Sequence, residues 1–94
     1  MIIVELTYKV DLTTIEQHLV AHRNFLEDNY QKGYLLASGP KEPQTGGIII
    51  ALTKDLHELT AILAQDPFYL HDLADYKFTI FNPTSYHSLI KELV

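Results

Sequence analysis

The 94-residue sequence contains no cysteine and no tryptophan. Without cysteine there are no disulfides, thiolate nucleophiles or thiolate metal sites, and the composition is compatible with a reducing compartment, so the cytoplasm is the default location. Cations are scarce too: seven lysines and arginines stand against twelve carboxylates, a formal net charge of −5. A chain that reads phosphate backbones carries a basic stripe, and this one has none, which argues against nucleic acid as partner. Long apolar runs are also missing. None approaches the roughly 20 residues that a membrane-spanning helix needs, and Met1 to Leu6 lacks the basic start of a secretory leader and has Glu5 within its apolar stretch. With four glycines and four prolines and no repeat or low-complexity tract, disorder and solenoid architectures are equally disfavoured.

What is present is a chain of ordinary globular composition, 47% hydrophobic and 20% charged, of a length that makes one domain over residues 1–94. Ile2 to Tyr8 alternates, with Ile2, Val4, Leu6 and Tyr8 on one face, and reads as a strand. Polar residues Asp11 to Thr14 precede a helix over about Thr14 to Gln31, with Thr13 and Glu16 in capping-box spacing and Gly33 as a left-handed stop. Tyr34 to Ser38 is a second strand, ended by Gly39-Pro40. After a polar connection, Lys41 to Gly47, comes a third, Ile48 to Leu52. Asp55 and Glu58 open a second helix that ends near Gln65, and Asp66 caps a short helix with Pro67 in its first position. Tyr76 to Asn82 is the fourth strand; Ser85 to Val94 is weakly helical.

The order βαββαβ maps onto an α+β, ferredoxin-like fold, a four-stranded antiparallel sheet with the helices on one face. The other face should be wet and alternate cleanly. Ile48 to Leu52 is instead apolar throughout, and strand one is apolar on both sides, which predicts a homodimer packed sheet to sheet.

His22 is the anomaly. Ile15, Leu19, His22, Leu26 and Tyr30 fall at helical spacing, so an imidazole points toward the core with leucines around it. An inward histidine needs a polar partner. A carboxylate on one ring nitrogen would fix its tautomer and leave the other nitrogen free to exchange a proton, and Asp66 is the candidate. His18 and His22 sit at i, i+4 spacing and invite a metal reading that His71 would complete in three dimensions, but no His-Glu-x-x-His motif accompanies them and no metal or cofactor is assigned. No nucleophile elbow, P-loop or dinucleotide fingerprint occurs.

From His22 the chain reaches Gly33 after eleven residues and the glycine of Ser38-Gly39-Pro40 after seventeen. A Gly-rich turn, an aliphatic strand, a helix and Asp66-Pro67-Phe68 follow. This pattern, over Met1 to about Pro83, resembles the YciI-like family. The resemblance implies a dimeric α+β barrel of ferredoxin-like subunits, related in architecture to muconolactone isomerases, with His22 and Asp66 at the active site and Ser38 as a ligand contact. A few members of that family resemble dehydrochlorinases or lactone-isomerising enzymes. Many relatives carry an arginine three residues before the histidine, where this chain has Leu19; its only arginine, Arg23, follows His22 and is turned about a hundred degrees away on the helix, which argues against anion recognition there.

The expectation is a cofactor-independent lyase or isomerase that moves a proton on a small cyclic or unsaturated compound. His22 and Asp66 are its catalytic pair; Ser38, Gly39, Pro40, Tyr8 and Phe68 contact the substrate. Tyr69 is expected near the site, and Phe25, Phe78 and Phe81 in packing or at the dimer face. The alternative is a non-catalytic dimeric module that binds a ligand or protein, with His22 and Asp66 as a structural pair.

Overall fold

A computed structural model describes residues 1–94. Four strands, β1 (Ile2–Tyr8), β2 (Leu35–Pro40), β3 (Gly46–Ala51) and β4 (Ala74–Ile80), and three helices, α1 (Leu12–Gln31), α2 (Leu56–Leu63) and α3 (Pro67–Leu70), follow one another in the order β1 α1 β2 β3 α2 α3 β4. The sheet is antiparallel throughout, in the order β2-β3-β1-β4. This is the ferredoxin-like α+β arrangement. A 3-10 turn over Ser88–Leu93 ends the chain.

Alternation along β1 buries Ile2, Val4 and Leu6 completely or nearly so. They meet Ile49 and Ala51 of β3 and, from the helices, Ile15, Leu26, Leu59, Leu63 and Phe68 in one core cluster. The pleat therefore decides which side of the sheet the helices cover. On the opposite face Ile3 sits across from Ile50 and Thr79, and Glu5 across from Lys77. Ile3 and Ile50 stay only half-buried.

Several boundaries differ from the sequence reading, each for a local reason. Asp11, not Thr13, caps α1: its carboxylate accepts from the Thr14 amide at 2.9 Å and the Thr14 hydroxyl at 2.8 Å, so the helix starts at Leu12 and Thr13 lies inside its first turn. Gly33 closes the helix as expected, at φ 79°, with its amide donating to the Tyr30 carbonyl and the Tyr34 amide to that of Asn29. β2 runs on to Pro40 because it is an edge strand, where a missing amide costs no ladder bond. β3 begins at Gly46, inside the stretch read as a connection. A Cβ there would fall 1.7 Å from the Leu6 carbonyl oxygen, so glycine is what allows β3 to lie against β1 at that point.

Candidate active site

His22 lies on the inner face of α1, 8% exposed, and Asp66 caps α3 at 0% exposed. Asp66 is held there by local chemistry. Pro67 takes the first helical position, and the Asp66 carboxylate accepts from the Phe68 amide at 3.0 Å, the ordinary work of an N-cap. The same oxygen, Oδ1, lies 2.7 Å from His22 Nδ1. The other, Oδ2, accepts from the Tyr76 hydroxyl at 2.7 Å. A buried carboxylate is thus satisfied on both oxygens, as its burial demands.

Because an ionised carboxylate only accepts, the neutral imidazole carries its proton on Nδ1 and presents a lone pair at Nε2. Nε2 has no protein partner, and no buried side-chain nitrogen or oxygen goes unpaired, so it keeps access to solvent. Phe68 sets the ring plane by stacking on it, centroids 3.9 Å apart and planes within 5°. Tyr8 meets the Phe68 ring edge-on at 6.0 Å.

His22 opens onto a cavity of about 380 Å³ between α1, α3 and the β2 and β3 ends. Tyr8, His22, Ser38, Gly39, Pro40 and Phe68 all line it, so six of the seven residues singled out in the sequence share one space; Asp66 stands behind His22. Leu6, Leu19, Leu26 and Ile49 supply apolar wall, and Glu16, Arg23 and Gln44 supply polar groups that no intramolecular bond engages. Burial raises the pKa of the Tyr8 phenol, which stays protonated near neutrality. The Ser38 hydroxyl is shared with the hydroxyl of Tyr30 across the α1 to β2 contact.

Three placements depart from the sequence reading. Arg23 lines the cavity despite its helical angle, because a long side chain reaches past the face on which its Cα sits. Tyr69 is not at the site: it is 55% exposed and packs edge-on against Tyr76. His18 faces His71, ring centroids 4.2 Å apart, and takes no part in the His22–Asp66 contact. Tyr76 itself went unnoticed in the sequence, where its alternation in β4 marks only a residue on the helix-covered face. Its partner across β1 is Leu6, a cavity wall residue, and that register places it near Asp66.

The family's sequence model, described as the YCII-related domain, matches residues 1–82. The chain belongs to the YCII-related domain family. No curated protein matches its sequence significantly. Among solved structures this YCII-related chain is similar to the 5-chloro-2-hydroxyhydroquinone dehydrochlorinase of Burkholderia phenoliruptrix AC1100, in complex with 2,5-dihydroxybenzoquinone. The identity is 18%, the TM-score 0.71, and the match covers 87% of this chain and 94% of the other. At that identity the likeness is one of fold. No helix of this YCII-related domain is long and apolar enough to cross a membrane.

Proposed function

We propose that this YCII-related protein is a small-molecule enzyme in which His22 serves as general base and then general acid, oriented by Asp66. The observation that carries the reading is the 2.7 Å Nδ1 to Oδ1 contact on a ring whose Nε2 keeps solvent access. A fixed tautomer with a free lone pair beside an apolar cavity is what abstraction of a proton from carbon requires. The substrate is a small cyclic or unsaturated compound, its body against Phe68 and the aliphatic wall, with Tyr8 and the Ser38-Gly39-Pro40 segment as contacts. In elimination, Nε2 takes the proton, the C–H electron pair becomes the new double bond, and the leaving group departs with its bonding pair. In isomerisation the imidazolium returns the proton to another carbon of the same molecule. The chemistry named for the dehydrochlorinase neighbour is of the first kind.

The domain works as a homodimer through the open sheet face, and its cysteine-free composition suits the cytoplasm. Complete burial of Asp66 favours a second reading, in which the pair is structural and the cavity only binds. His22→Gln separates the two. Chloride release or isomer formation is measured over a panel of chlorinated hydroquinones and unsaturated lactones, beside the unfolding free energy. Catalysis predicts a rate loss of at least about 100-fold with the fold retained. Unchanged turnover with a stability loss of about 1 to 3 kcal/mol would leave only the structural role.

A further inference from the structure

Asp66 Oδ1 serves two donors, His22 and the Phe68 amide, whereas Oδ2 has one, the Tyr76 hydroxyl. The cap bond fixes where the carboxylate sits at the start of α3. Rotation of the carboxylate about its Cβ–Cγ bond would carry both oxygens off their donors, and the Tyr76 hydroxyl opposes it at Oδ2, the oxygen that neither other donor holds, which makes Tyr76 the third anchor. Tyr76 belongs to β4 and pairs with Leu6 of β1, so this anchor is the sheet, while His22 and Asp66 come from helices.

We propose that Tyr76 is a positioning residue for the His22–Asp66 pair: its hydroxyl locks the carboxylate so that Oδ1 alone receives Nδ1–H, which keeps Nε2 unprotonated toward the cavity. Burial, then the neighbouring Asp66 charge, push the Tyr76 phenol far above its ordinary value of 10.0. It therefore remains a donor at every pH at which the protein would work. Its ring is held from the far side by Tyr69, the two meeting edge-on at 5.8 Å. The chemical purpose of the lock rests on the proton-transfer reading above, but the test below reads the imidazole itself, so either idea can fail without the other.

Nitrogen and proton spectra of the full chain are compared for wild type and Tyr76→Phe. Wild type is expected to show a single neutral tautomer at His22 and a slowly exchanging Nδ1 proton. In Tyr76→Phe that proton exchanges at least about tenfold faster and the second tautomer appears, while the Val4 and Ile49 amides of the core strands keep their rates. Identical tautomer and exchange in the variant would overturn the proposal. So would equal acceleration of the strand amides, since Tyr76 would then be a general stabiliser. Should Tyr76→Phe not fold, wild type decides: the Tyr76 hydroxyl and His22 Nδ1 protons exchange at one common opening rate if the lock is real, and rates more than about tenfold apart overturn it.

Discussion

His22 and Arg23 are neighbours in the chain and line the same cavity, one offering a lone pair and the other an unpaired guanidinium. No carboxylate of the protein engages Arg23, although Glu16 lines the same cavity two helical turns earlier. A ligand with an anionic oxygen would find in Arg23 a charge-assisted donor. Arg23→Gln is therefore expected to raise KM about tenfold for an anionic substrate and to leave kcat within about twofold, the pattern of a lost uniform binding contact. Equal effects on anionic and neutral analogues in steady-state assays would show that Arg23 does no such work. Tyr76 gives a second residue-scale expectation. Its phenol ionises near 10.0 when unfolded and well above that when folded, so unfolding releases a proton at high pH. Stability should fall as pH rises above 10, and Tyr76→Phe should lose less over that range; denaturant melts between pH 8 and 11 measure the difference.

Short elements hold the pair in place, and most of them are legible because caps are local. Asp66-Pro67 announces a helix start, and Gly33 a stop, from the residue types alone. Thr13 with Glu16 misled because two capping patterns overlap by two residues, and the carboxylate of Asp11 reaches the orphan amides first. Gly46 misled for a different reason: glycine reads as a breaker, whereas the approach of the Leu6 carbonyl that requires it is a tertiary fact. The Tyr76 hydrogen bond is of the same kind, since only the pairing of β4 with β1 carries it to Asp66. The α1 cap can be read through its titration. Hydrogen bonds from the Thr14 amide and hydroxyl hold the Asp11 carboxyl below its ordinary 3.8. Its contribution is present above that value and is lost as pH falls through the depressed one. The stability gap between wild type and Asp11→Asn, followed by thermal melts from pH 6 to 2.5, should narrow only at the acid end. A gap constant with pH would mean that the carboxylate charge adds nothing to the cap.

At the scale of the molecule, one side of the sheet is closed by helices and the other is open. The open side is mixed in character: Ile3 and Ile50 face each other on the two central strands, one residue in from the strand ends, while at mid-strand Lys41 reaches Glu5 at 3.3 Å and bonds the Thr7 hydroxyl at 3.4 Å. Facing isoleucines on the two central strands, beside charged neighbours, fit an interface better than the clean polar alternation of a wet sheet face. Two copies joined by a two-fold axis would place the same isoleucines against each other, so one charge introduced there appears twice and repels itself. Wild type should run at twice its 10.8 kDa by light scattering at micromolar concentration. Ile3→Lys should weaken association by at least about 100-fold, leaving a folded monomer. The cavity lies on the helix-covered side of the sheet, and neither Ile3 nor Ile50 lines it, so that monomer should still bind what the dimer binds, with loss confined to stability. A wild type that stays monomeric at these concentrations would remove the dimer, and an Ile3→Lys dimer as tight as wild type would move the interface off this face.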